Sequence, residues 1–149
     1  MKKSFILLII LVSISLVSCS KDDNPTESAQ VSSTLKATWS DSTKVNTESL
    51  KVSLPLDESN GVISGTGRID FLTTANNSSN SVIFENNATG TKQNSDVVII
   101  ISSGSNKFTF TGKLSSDNST ISGTVVLIIK DNLFMSDGTY NFSMNLKKK

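Results

Sequence analysis

From about Leu35 to Leu146 the chain alternates apolar and polar residues with period two, the signature of β-strands with one buried face, and it shows no convincing helical periodicity. Leu35, Ala37 and Trp39 share one face of a first strand. A second places Leu50, Val52, Leu54 and Leu56 opposite Lys51, Ser53 and Pro55. A third sets Ile63, Gly65, Gly67, Ile69 and Phe71 against Ser64, Thr66, Arg68 and Asp70, and a weaker fourth runs through Val82 and Phe84. The fifth, Val97 to Ile101, is continuously apolar. In the sixth, Phe108, Phe110, Gly112 and Leu114 alternate with lysines and threonines. Ile121, Gly123, Val125, Leu127 and Ile129 mark a seventh, and Tyr140, Phe142, Met144 and Leu146 an eighth.

The links between these runs are short and rich in turn formers, such as Asn60-Gly61, Ser103-Gly104-Ser105-Asn106, Ser116-Asp117-Asn118-Ser119 and Asp137-Gly138. Short links force antiparallel neighbours, because a parallel crossover takes a dozen or more residues. A meander of eight strands with one apolar face each buries that face by closing on itself. The expected fold is therefore all-β, an eight-stranded antiparallel up-and-down barrel. Trp39, on the inward face with Leu35 and Ala37, is expected at the barrel's closed end. Ile63-Ser64-Gly65-Thr66 recurs as Ile121-Ser122-Gly123-Thr124, which reads as two similar bends in one wall. The inward positions are apolar or glycine, so the lumen is either a packed core or a cavity for one small apolar ligand.

Ahead of this domain the pattern changes. Lys2 and Lys3 precede an apolar run from Phe5 to Val17, broken only by Ser13 and Ser15. The run falls short of the roughly 20 residues that span a bilayer and fits the apolar core of a secretory signal. Leu16-Val17-Ser18-Cys19 resembles the lipobox of bacterial lipoproteins. That resemblance implies a diacylglyceryl group on the Cys19 thiol and cleavage just before it. Ser20-Lys21-Asp22-Asp23 resembles the short acidic export tag of lipoproteins in the Bacteroidota, which implies an outer-membrane protein facing the cell surface. The expected organisation is a signal peptide over 1–18, a lipidated Cys19 and flexible acidic linker over 19–34, and a barrel over 35–149. A polar tether of that length holds its domain roughly 20 Å from the membrane on average.

Cleavage would remove two of the 14 Lys and Arg and none of the 13 Asp and Glu, leaving a formal charge near −1. That balance does not favour nucleic acid, and Lys147-Lys148-Lys149 reads as a solvated terminus. The membrane is reached through the lipid on Cys19. With no histidine and a single cysteine, Ser/His/Asp and Cys/His nucleophilic systems, the usual zinc sites and internal disulfides are excluded. Asp70 and Glu85 lie on adjacent strands but on polar faces, so they read as surface charges. Asp57-Glu58 and Asp131-Asn132 offer too few oxygens for calcium. No catalytic residue, metal site or cofactor is expected, and a carboxylate-dependent hydrolase is the weakest alternative.

Taken together, the Ala-Thr-Trp of the first strand, Ile-Ser-Gly-Thr-Gly at 63–67, the segment Phe110 to Thr124 and the closing Tyr-Asn-Phe-Ser-Met-Asn-Leu resemble the small lipocalin-like β-barrel lipoproteins of the Bacteroidota. Ala37 departs from them, since a glycine usually stands there. The resemblance implies a lipocalin-like barrel and no particular activity. Asp41-Ser42-Thr43 also resembles the acceptor used for protein O-glycosylation in the Bacteroidota, with Ser42 as the modified residue. Val98, Ile100, Val126 and Ile128 fall on the outward faces of strands five and seven, a candidate apolar contact patch unless the loop Asp131 to Ser136 covers it. The expected function is non-catalytic binding or envelope support at the cell surface. The alternative is a lipocalin-type carrier, so the expected partner is an envelope protein or a small apolar ligand.

Overall fold

The computed structural model describes residues 34–75, 78–133 and 135–149, and the expected strands are present. They are β1 (Ala37–Val45), β2 (Glu48–Ser59), β3 (Val62–Ala75), β4 (Ser78–Gln93), β5 (Asp96–Ser103), β6 (Asn106–Leu114), β7 (Thr120–Ile129) and β8 (Gly138–Lys148). Each pairs antiparallel with the next and β8 returns to β1, which closes a lipocalin-like barrel. The turns use the residues that tolerate a left-handed backbone. Asn46, Asn60, Asn94 and Asn118 all have positive φ, and Asn60 with Gly61 (φ 51° and 79°) makes the primed two-residue turn that suits twisted hairpins.

The fourth strand is the main departure from the sequence pattern. Far from weak, β4 is the longest strand at 16 residues. Glu85, Asn86 and Asn87 interrupt its alternation and are exposed, yet backbone pairing with β3 continues past them from Val62–Thr91 to Ala75–Ser78. The partner strand supplies the regularity that the side chains lack. β5 pairs only with Ala88–Gln93 of β4, and Asn86 Nδ2 donates to the Ser102 carbonyl at 2.7 Å where that ladder stops.

One row of inward residues runs around the wall through Ala37, Leu56, Gly65, Ala88, Ile101, Phe108, Leu127 and Tyr140. Extending the Trp39–Lys148 register brings it back to β1 at position 47 rather than 37, a stagger of ten residues. Such a stagger tilts the strands and lets inward side chains interleave.

Those side chains form one apolar cluster of 26 described residues from all eight strands together with Leu35 and Met135. Trp39 is fully buried, and its Nε1 donates to the Leu35 carbonyl at 2.9 Å, so Leu35 and the indole together plug the end where the chain enters. At the far end Phe71 packs on Tyr140 (ring centroids 4.5 Å apart) and edge-on to Phe142 at 6.1 Å. Midway, a Cβ on Gly67 would overlap Ile101 Cδ1 and come within 2.9 Å of Leu54 Cδ2. Side chains from β2 and β5 therefore reach across β3 at that level, and the lumen there is filled. The repeated Ile-Ser-Gly-Thr marks two places where the backbone of the preceding strand comes close to a glycine. A Cβ on Gly65 would run into the Pro55 carbonyl and one on Gly123 into the Thr111 carbonyl, each on the preceding strand.

Candidate functional site

Cys19 and Ser20, Lys21, Asp22 and Asp23 lie outside the described residues. The other candidate positions lie on the barrel wall. Val98, Ile100, Val126 and Ile128 all point outward. Ile100, Thr109 and Val126 stand side by side in one cross-strand row, Val98 faces Thr111, and Ile128 faces Lys107. The patch is thus continuous across β5, β6 and β7, with threonines in its middle. Val126 is exposed and the other three are half-buried. Within the loop that might have covered it, Leu133 is almost wholly exposed, at 94%, and Met135 turns into the core cluster instead.

Ser42 is exposed on β1, but its neighbour Asp41 has a structural task. β1 and β8 pair only at Trp39–Lys148 and Ser40–Lys147, extended by the Lys149 N–H on the Thr38 carbonyl. Continuing that ladder would next join Ser42 to Asn145. Instead one Asp41 oxygen accepts the Ser42 N–H at 2.7 Å and the other accepts the Asn145 N–H at 2.7 Å. The carboxylate replaces a strand-to-strand hydrogen bond, and the seam opens beyond it. Sequence reasoning gave Asp41 only a place in a modification tripeptide. Its inward parity with Trp39 was the available signal.

A second inward-parity carboxylate also went unnoticed. Glu58, one step past Leu56 on β2, is the buried charged residue of the described chain and accepts the Gly61 N–H at 2.9 Å, bracing the β2–β3 turn. Glu85 is exposed, whereas Asp70 is half-buried with its Oδ1 shielded from solvent, and both gather around Arg68, Asp70 at 3.0 Å and Glu85 at 3.8 Å. No group of three or more His, Cys, Asp or Glu that could hold a metal occurs among the described residues. Asp117 in the β6–β7 turn is held down to about 2 by hydrogen bonds from the Ser115 and Ser119 hydroxyls and the Ser119 N–H. Fully exposed and locked in its own turn, it is a turn clasp and not an acid–base group.

Two concavities mark the outer wall. One, of about 510 Å³, lies over β1, β2 and β3 and is lined by Ser40, Ser42, Ser53, Lys51, Arg68 and Lys149 among others. The other, of about 420 Å³, occupies the open part of the β1–β8 seam between Thr43, Val45, Asn141, Ser143 and Val126, with Phe142 at its base. Val126 joins this second hollow to the apolar patch. The fold is an eight-stranded lipocalin-like barrel, and these two concavities lie on its outer wall. Comparison with family models, curated proteins and solved structures finds no match for this chain.

Proposed function

We propose that this protein is a non-catalytic outer-membrane lipoprotein, anchored by lipid on Cys19, displayed at the cell surface, and binding its partner on the outer wall of the barrel. The observation that carries the reading is the continuous 26-residue apolar cluster inside the wall, set against hollows that open outside it. The test has two arms. Labelled palmitate should enter the wild-type chain and not Cys19→Ala, since no other thiol exists. An apolar dye titrated into the detergent-free barrel should show no stoichiometric site. Label retained by Cys19→Ala refutes the anchor, and micromolar stoichiometric dye binding refutes the outer-wall reading.

The carrier reading keeps one favourable observation. Phe142 faces the core and also lines the seam hollow, so a small apolar ligand could enter sideways between β1 and β8. Dye binding abolished by Val126→Trp would favour it.

A further inference from the structure

We propose that the groove over β1, β2 and β3 binds an acidic sugar, a saccharide carrying carboxylate, phosphate or sulfate groups; this rests on the outer-wall reading and names its ligand class. The groove floor is made of serines. Ser40 faces Ser53 directly across β1 and β2, and Ser42 faces Lys51. The hydroxyls of Ser40, Ser42 and Ser53 make no hydrogen bond among the described residues. Short side chains between long ones leave a recess of about 510 Å³, the size of a small-molecule site (about 300–1,000 Å³).

The rim is cationic. Arg68 stands beside Ser53, Lys147 beside Ser40, and Lys51 and Lys149 line the walls. The lining also holds two carboxylates, Asp41 and Asp70, against its three cations Lys51, Arg68 and Lys149. Asp70 and Glu85 both lie on Arg68, and Asp41 accepts two backbone N–H groups. Lys51, Lys147 and Lys149 have no carboxylate within ion-pair distance among the described residues. Two unpaired ammonium groups in the lining, Lys51 and Lys149, with Lys147 just outside it, complement a ligand that carries both anions and hydroxyls.

The alternatives fit less well. No aromatic side chain lines the groove, which removes the stacking platform that single-stranded nucleic acid requires. The serines are recessed between longer side chains, a shape that admits a chain and not a flat bilayer surface. Recognition through charge and hydroxyls alone weakens as salt screens it, over a Debye length of about 10 Å at 0.1 M.

The test is native electrophoresis of the full chain in nonionic detergent, through gels containing polygalacturonate, dextran sulfate or neutral dextran. The acidic polymers should retard the protein and neutral dextran should not. Lys51→Ser with Lys149→Ser should weaken retardation about tenfold or more, through loss of two charge-assisted contacts. Ser53→Phe fills the floor without changing charge and should weaken it comparably. Ser42→Phe, at an exposed position, serves if Ser53→Phe shifts the melting temperature. Lys44→Ser, outside the groove lining, should change little. Wild-type retardation of a folded floor-filling variant would show diffuse surface charge and overturn the proposal. So would equal retardation by neutral dextran, or binding to phosphatidylglycerol vesicles without binding to either acidic polymer. Failure here with a dye-free lumen and a labelled Cys19 removes the sugar and leaves the proposed function standing.

Discussion

Truncating Trp39 to alanine removes the plug at the entry end of the barrel. The side chain is fully buried, and a buried tryptophan or phenylalanine cut to alanine costs about 3–5 kcal/mol, the transfer term plus the cavity left behind. A domain of this size has roughly 6–17 kcal/mol of net stability at about 0.05–0.15 kcal/mol per residue, so the variant should lose a large share of it. Trp39→Phe separates two contributions. It keeps most of the apolar volume but loses the N–H on the Leu35 carbonyl, worth about 0.5–1.5 kcal/mol, plus a smaller packing loss. Urea unfolding followed by far-ultraviolet circular dichroism reads both variants without needing the indole. Trp39→Ala should shift the midpoint far more than Trp39→Phe, at an unchanged slope. A loss for Trp39→Ala within the roughly 0.5 kcal/mol of an ordinary surface change would refute the buried placement. Native tryptophan emission like that of the free amino acid would refute it too.

Replacing Lys21, Asp22 and Asp23 together by alanine should keep palmitate on the chain and abolish protease accessibility in intact cells; unchanged shaving would show that the three residues are only linker. Gly67→Ala should destabilise the barrel by about 1–3 kcal/mol, the usual cost of overpacking, because its Cβ meets Ile101; a neutral change would mean an emptier lumen. The Asp117 carboxyl should titrate near 2 by nuclear magnetic resonance. Because its folded pKa lies below the ordinary 3.8, the turn's stabilisation is complete above about pH 4 and is lost as pH falls toward 2. Asp117→Asn should abolish that acid dependence, and an unshifted titration would sink the clasp. Asp41→Ala should speed amide exchange at Asn145 by leaving its N–H without an acceptor, and unchanged exchange would show that the seam does not depend on the carboxylate.

Fold class and inward face could be read because most strands repeat one period and most turns carry Asn or Gly where the backbone goes left-handed. β4 was underrated because Glu85, Asn86 and Asn87 break the period, and only pairing with β3 restores it. The groove was illegible for a different reason. Ser40, Ser53, Arg68 and Lys147 are unremarkable on their own strands, and it takes the register across β8, β1, β2 and β3 to set them side by side. Asp41 shows the same effect within one residue. Its neighbours suggested a modification site, while the closing seam, over a hundred residues away at Asn145, gives it a structural task.

Packing like that around Gly67 also sets an energetic limit on what the barrel can carry. Opening a site of about 300 Å³, the small end of the ligand-pocket range, at about 24 cal/mol per Å³ of cavity would cost about 7 kcal/mol. That is comparable to the whole stability of a domain this size and nearly equals the roughly 8 kcal/mol of micromolar binding. A ligand entering past Phe142 would spend almost all its affinity making room for itself. A ligand on the serine floor would displace only water and meet the Lys51 and Lys149 ammonium groups, which pair with no carboxylate among the described residues. Between two surfaces of the same wall, the outer one would bind at the lower cost.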